Sequence, residues 1–295
     1  MIEVPEELAG TQSRCNGAEG RAFVAALPGR AERFLEEWGL RRTGPVMYGM
    51  ASLVLPVTVV ADGARAALKL QLLDEETEGE AAALRAWDGD GAVRLLADDP
   101  ATGTLLLERL EEGRDLSGVE DTREATRVLA ELMARLVAVA APAGMRSLGD
   151  IAADMLDEVA DAVGELERED DRRLMRDCAA AVREVAGEPG DRLLHWDLHF
   201  GNVLASRREP WLAIDPKPLA GDPAFELLPS LFNRFDRDEV LWRFDLLTEV
   251  LGLDRERARA WTLGRVLQDA LWDVEDGETV LEGERPVVAR LLLGR

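Results

Sequence analysis

His195-Trp-Asp-Leu-His-Phe-Gly-Asn202, followed by Trp211-Leu-Ala-Ile-Asp215-Pro-Lys217, is the stretch on which the rest of the chain hangs. Asp197 and Asn202 are five apart in a segment with neither helical nor strand period, and Asp215 closes a short apolar run. Three oxygen-bearing side chains in this order suit phosphoryl transfer. That reaction needs a carboxylate beside the attacking hydroxyl and oxygen ligands for magnesium, and the protein otherwise mainly positions charge. Magnesium keeps several waters, so one amide and one carboxylate suffice as protein ligands. Any one of these residues alone could be a turn or cap residue; the ordered set carries the reading. A different reading makes His195, Asp197 and His199 an H-x-D-x-H metal site, which, with no third histidine in the chain, would need carboxylates to complete it.

Upstream, the pattern is one of strands. Ser52 to Ala61 and Ala64 to Leu73 are β-rich runs around Asp62-Gly63, a hairpin signal, with a shorter run before them from Met47. Glu75 to Trp87 has a helical mix stopped by Asp88-Gly-Asp-Gly91, and Val93 to Ala97 and Thr104 to Leu110 read as two further strands. Beyond a break at Glu111-Glu112-Gly113 the period becomes helical: Ala125, Val128, Leu129, Leu132 and Leu136, then Ile151, Met155, Val159 and Val163, then a helix over Asp171 to Ala186. Leu193 to Asp215 is short strands and loops, and helices resume after Asp222-Pro223. The expected architecture is α+β with two lobes: a small β-rich lobe, residues 1–110, and a larger helical lobe, residues 111–295, carrying the catalytic loop.

The run HxDxHxGN, the IDPK that follows it and Gly221-Asp222-Pro223 resemble the aminoglycoside phosphotransferases, within them the streptomycin 6-kinase and hydroxyurea kinase branch. The likeness extends from about Gly44 to the end of the chain. It implies a protein-kinase-like fold, ATP as donor, Asp197 as catalytic base and Asn202 with Asp215 as magnesium ligands. It also implies an aminoglycoside acceptor, streptomycin at its 6-hydroxyl above all, with hydroxyurea or another small hydroxylated metabolite as the alternative. Three features depart from protein kinases: Trp196 replaces a small glycine, Pro216 follows the metal aspartate, and no GxGxxG is present.

By the same resemblance, Lys69 stands where a kinase places the lysine that contacts the α and β phosphates. Its pairing acid is Glu80, with Glu78 and Glu76 as alternatives. Only two of the 35 basic residues are lysine, Lys69 and Lys217, so a lysine retained against such a bias points to a need for lysine. Gly49 and Ser52 would cover the phosphates, the glycine allowing close backbone approach. Glu108 and Leu110, ending the fifth strand, fall where the family's backbone contacts adenine.

For the acceptor, Asp269, Asp273 and Asp276 share one helical face, and the stretch from Asp269 to Glu284 holds seven acids and no base. Such a surface attracts guanidinium-bearing cations, although a solvated helix face looks the same. Asp222 reads equally as an N-cap before Pro223 or as a substrate contact, and Asn233 has similar standing. The formal charge of −23 argues against nucleic acid as partner, since affinity for a polyanion needs cationic groups. Cys15 and Cys178 form no metal or disulfide motif, and neither a signal peptide nor a membrane span is evident, so a cytoplasmic, monomeric enzyme is expected.

Overall fold

The computed structural model describes residues 2–294 and divides into two units, Met1–Glu111 and Glu112–Arg295. The first unit begins with two helices where the sequence offers no motif: α1 (Glu6–Cys15) and α2 (Gly17–Glu37). There follow β1 (Leu40–Arg42), β2 (Met47–Tyr48), β3 (Ser52–Val59), β4 (Arg65–Gln71), α3 (Glu80–Trp87), β5 (Leu95–Asp99) and β6 (Thr104–Glu108). The sheet runs β1-β3-β4-β6-β5, with β2 also on β3, and its pairings are antiparallel.

The two-residue period of a strand sorts this sheet into faces. Leu53, Leu55 and Val57 of β3 and Ala66, Leu68 and Leu70 of β4 form one core with Phe23, Leu27, Ala31 and Phe34, which lie along one side of α2. A buried leucine or phenylalanine contributes roughly 1.5–3 kcal/mol, so this face accounts for much of the unit's cohesion. Arg30 pins α2 to the sheet, donating to Thr104 Oγ1 at 2.8 Å and the Gln71 carbonyl at 3.0 Å. Burial lowers its pKa to about 10, with Arg33 adding to the effect and Asp99 opposing it. Lys69 is out of phase with Leu68 and Leu70 and therefore belongs to the opposite face.

The expected hairpin is present, and Gly63 supplies its turn with a φ of 76°. The helix expected from Glu75 begins five residues later. Asp74 Oδ1 accepts the N–H groups of Glu76 and Thr77, and Thr77 Oγ1 donates to the Leu72 carbonyl, so a side-chain-capped turn takes the place of the first helical turn. The expected break at Glu111-Glu112-Gly113 is instead strand β7 (Glu111–Asp115).

The second unit holds α4 (Thr122–Leu136), α5 (Leu148–Glu165), α6 (Glu169–Val185), β8 (Arg192–Leu194), β9 (Val203–Ala205), β10 (Trp211–Ala213), β11 (Leu219–Gly221), α7 (Leu227–Leu231), α8 (Val240–Leu251), α9 (Arg255–Glu275) and α10 (Glu284–Leu292). Short sheets β10-β9-β7 and β11-β8 frame the irregular segment. Helix α9 is buried around most of its circumference, packing on α5, α6 and α10, as its run of Ala258, Trp261, Leu263, Leu267 and Leu271 requires. Among the described residues no helix is long and apolar enough to cross a membrane.

Candidate active site

In the second unit, the β9–β10 hairpin brings the metal candidates together. Its register pairs Ala213 with Val203, and the next rung is the Ile214 N–H donating to the Asn202 carbonyl at 2.9 Å. Asn202 and Asp215 thus leave the same end of one ladder. Asp215 has a φ of 59°, a left-handed conformation that Asp tolerates better than most residues. Asn202 Nδ2 donates to the Asp197 carbonyl at 2.9 Å and reaches its Oδ2 at 3.4 Å, which leaves the amide oxygen as the acceptor end. An amide oxygen and a carboxylate at one point are hard donors that fit magnesium, whose remaining positions go to water and phosphate.

Both histidines hold the loop. His195 Nε2 donates to the Ile214 carbonyl at 2.9 Å, fastening the loop to the end of β10. His199 Nδ1 accepts the Gly201 N–H at 3.0 Å, so the neutral ring carries its proton on Nε2. A Cβ at residue 201 would lie 2.9 Å from His199 Cε1, which explains the glycine. Among the described residues no group of three or more His, Cys, Asp or Glu side chains is placed to hold a metal, so the H-x-D-x-H alternative has no support in the geometry.

Asp197 follows the most constrained residue of the loop. Trp196 has a φ of 68° and is 2% exposed. A non-glycine residue in this region costs on the order of 1–3 kcal/mol and persists only where its surroundings impose it. Those surroundings are Glu226 and two arginines. The buried Glu226 carboxylate accepts the His195 N–H at 2.9 Å and the Trp196 N–H at 2.6 Å, while the Arg146 and Arg265 guanidinium carbons sit 4.6 and 4.4 Å from the Trp196 ring centre. Burial raises the Glu226 pKa to about 7 despite these two hydrogen bonds. Burial likewise raises the Asp197 pKa, with Lys217 pulling it down and Asp215 pushing it up. None of Glu226, Arg146 and Arg265 was legible as a site residue; the one available signal was an acid inside the apolar run Phe225-Glu-Leu-Leu-Pro229.

A cavity of about 330 Å³ opens beside Asp197, lined among others by His199, Asn233, Arg265, Asp269, Trp272 and Arg285. The acceptor candidates distribute unevenly around it. Asp269 lines the cavity, 6% exposed, with Arg285 Nε at 2.9 Å and Arg265 Nε at 3.6 Å. Asp273 lies outside the lining but meets Arg285 Nη1 at 3.4 Å, and Asp276 is the exposed C-cap of α9. Asn233 also lines the cavity, its Oδ1 accepting the Phe200 N–H at 2.9 Å. Asp222 is away from it: its side chain caps Ala224 N–H at 2.9 Å and binds Arg257 Nε at 2.6 Å.

In the first unit, Lys69 Nζ lies 2.7 Å from both carboxylate oxygens of Glu80, and the pair is buried. β4 supplies the lysine and the first turn of α3 the acid, a consequence of the late start of that helix. Ser52 is buried at the start of β3, and its carbonyl accepts the Gly49 N–H at 3.0 Å. Gln12 of α1 donates to the Met50 carbonyl at 3.1 Å, tying down the same turn. Glu108 Oε1 accepts the Arg94 N–H at 2.8 Å, and Leu110 is buried.

The model of the aminoglycoside/hydroxyurea antibiotic resistance kinase family matches residues 37–277. A hydroxyurea phosphotransferase of Kitasatospora aureofaciens is 64% identical over 297 residues, covering 100% of this chain and 87% of that protein. A streptomycin 6-kinase of Streptomyces glaucescens is 56% identical over 302 residues, covering 100% of this chain and 98% of the relative. Among solved structures, a choline/ethanolamine kinase family protein from Mesorhizobium loti superposes with a TM-score of 0.60 at 16% identity, covering 91% of this chain and 92% of that one. A thermostable mutant of an aminoglycoside phosphotransferase, in ternary complex with ADP and hygromycin B, gives 0.59 at 14% identity, covering 89% and 97%. Relatives aligned along the whole chain and neighbours sharing its β-sheet unit and helical unit leave one assignment: the chain has the protein-kinase-like fold and belongs to the aminoglycoside/hydroxyurea antibiotic resistance kinase family.

Proposed function

We propose that the protein is an ATP- and magnesium-dependent O-phosphotransferase whose acceptor is an aminoglycoside, streptomycin at its 6-hydroxyl. The observation that carries this reading is the meeting of Asp197, Asn202 and Asp215 at one end of the β9–β10 hairpin. Relatives named as streptomycin 6-kinases at 56% and 54% identity supply the acceptor.

In this reading Asp197 orients the acceptor hydroxyl and takes its proton as the oxygen attacks the γ-phosphorus and the bond to ADP breaks. Burial raises its pKa, which makes it a stronger base than an exposed carboxylate. Asn202 and Asp215 would hold magnesium, which when bound neutralises charge building on the phosphates. Lys69, kept in place by Glu80, contacts phosphate oxygens, the Gly49–Ser52 turn covers them, and the backbone around Glu108 and Leu110 takes the adenine. The cavity beside Asp197 receives the acceptor, with Asn233 and Asp269 on its wall and Asp273 next to it. Asp222 and Asp276, one capping a turn and the other ending a helix, are the weakest acceptor contacts of the set.

Hydroxyurea is the second reading, favoured by the 64% identical relative of that name and by a cavity that carries two arginines as well as two aspartates. ADP release measured with streptomycin, other aminoglycosides and hydroxyurea, followed by phosphorus NMR of the product, separates the two. Turnover of streptomycin with phosphate on the 6-oxygen is the expected result; ADP release with no member of the panel overturns the proposal.

A further inference from the structure

The wall of the acceptor cavity already holds a guanidinium group, and it comes from the chain itself. Arg285, the second residue of α10, sets Nε 2.9 Å from Asp269 and Nη1 3.4 Å from Asp273. Asp269 and Asp273 are one turn apart on α9, so their carboxylates form a pair spaced for a planar cation. The other oxygen of Asp269 faces Arg265, whose guanidinium is stacked against Trp196 and also bonds Gln268 at 2.8 Å. Arg265 is therefore fixed, with a side chain 12% exposed, whereas the Arg285 side chain is 45% exposed and touches the carboxylates through one nitrogen each. The half-exposed Arg285 end of this contact is open to water, and other cations compete with it for the buried Asp269 and the more exposed Asp273.

We propose that Arg285 is a displaceable internal cation that selects the acceptor: it occupies a guanidinium subsite formed by Asp269 and Asp273, and a guanidinium-bearing acceptor must take its place. With Arg285 seated, the carboxylates of Asp197, Asp269 and Asp273 face the guanidinium groups of Arg265 and Arg285, one charge short of neutral and the less anionic of the two settings, which suits a small uncharged hydroxyl compound. With Arg285 swung out, the wall is anionic and wider, a setting that suits streptomycin. The inference rests on the acceptor reading above and deepens it, since one side chain would arbitrate between the two acceptors by which the near relatives are named.

The test is streptomycin binding by titration calorimetry to the wild type, Arg285→Gln and the double variant Arg285→Gln/Asp269→Asn, with turnover of streptomycin and hydroxyurea measured on the same preparations. Removing the competing cation should tighten streptomycin binding about threefold, the scale expected for displacing a half-exposed arginine. It should raise the ratio of streptomycin to hydroxyurea kcat/KM by a similar factor, and the double variant should lose the gain. Arg285→Lys, which keeps charge and helix but not the fork, should bind streptomycin between the wild type and Arg285→Gln. Binding that is unchanged or weaker in Arg285→Gln, or no streptomycin binding by any of these proteins, overturns the proposal, even if hydroxyurea turnover upholds the kinase reading. Tighter binding without turnover of either acceptor would uphold the subsite and sink the kinase reading instead.

Discussion

The Glu226 carboxylate receives the Trp196 N–H at 2.6 Å, and through this bond a residue thirty positions away dictates the backbone of the loop that carries Asp197. The same carboxylate takes the N–H of His195. Two consecutive buried donors therefore depend on one acceptor, and the residue next in line is Asp197. Glu226→Ala would leave both donors without a partner, at about 1–3 kcal/mol each. Urea denaturation should show a stability loss of roughly 2–6 kcal/mol, and kcat should fall about a hundredfold where enough folded enzyme remains, because an ångström of misplacement is enough for that.

Glu226 also makes stability depend on pH. Its folded pKa, about 7, lies above the ordinary value of 4.5, so the folded protein binds the proton more tightly than the unfolded chain. The stability associated with this proton is fully present below about pH 4.5, declines as pH rises, and is lost above about 7. The span amounts to roughly 3 kcal/mol. Glu226→Gln should flatten that decline: urea midpoints at pH 5 and pH 8 should lie closer together in the variant than in the wild type, and an equal gap in both would contradict the assignment.

The Lys69–Glu80 pair separates folding from chemistry. Removing one member strands a buried charge, so Lys69→Met should destabilise the protein by about 3–5 kcal/mol. Lys69→Met/Glu80→Leu, which replaces both members with apolar groups, should recover much of that stability. Neither variant should recover turnover, which is expected to fall at least about a hundredfold through loss of a positioned cation. Thermal melts with ADP-release assays on the single and double variants check both halves.

Asp197→Asn keeps the size and most of the hydrogen bonds of the loop while removing the proposed base. Turnover should drop about a hundred- to ten-thousandfold, and ATP affinity, read by equilibrium titration, should stay within about twofold because the change is smaller than one ordinary hydrogen bond. A variant with near wild-type turnover would move the base elsewhere.

Gly201 offers a purely steric check. An alanine Cβ there would meet His199 Cε1 at 2.9 Å and Nδ1 at 3.1 Å, so His199 must swing away and the Gly201 N–H loses its acceptor. Gly201→Ala should therefore cost about 1–3 kcal/mol in thermal or urea denaturation.

How much of this could be read from residues alone depended on whether the signal was local. The Asp62-Gly63 hairpin was legible because a turn with positive φ leaves its mark in two adjacent residues. The proximity of Asp197, Asn202 and Asp215 left a readable spacing because Asn202 and Asp215 flank a single hairpin and Asp197 is only five residues before the first of them. β7 was not: Glu111-Glu-Gly-Arg-Asp115 is polar along its length, and it is a strand because β9 offers it a partner. Helix α1 carries Gly10 and helix α2 carries Gly17, Gly20, Pro28 and Gly29, which weaken the local preference, and the α2 face formed by Phe23, Leu27, Ala31 and Phe34 makes sense only against the sheet it covers. Glu226 and Arg285 act on residues twelve or more positions away, and Arg265, although Gln268 and Asp269 lie within one helical turn of it, reaches the loop only by stacking on the distant Trp196, so no short window of sequence shows what these side chains do for the loop and the cavity. The acidic stretch after Asp269 illustrates the same limit, since the arginine that meets its first two aspartates follows its last acid.

The scarcity of lysine has a practical side. A reagent that acylates primary amines meets only two side-chain targets in this chain, and one of them, Lys69, is 4% exposed and already clasped by Glu80. The other, Lys217, donates its backbone N–H to His195 and sits within electrostatic reach of Asp197. Coupling the protein to a surface or a dye through its lysine side chains would therefore put the attachment beside Glu80 or Asp197, and thiol chemistry at the exposed Cys15 is the safer handle.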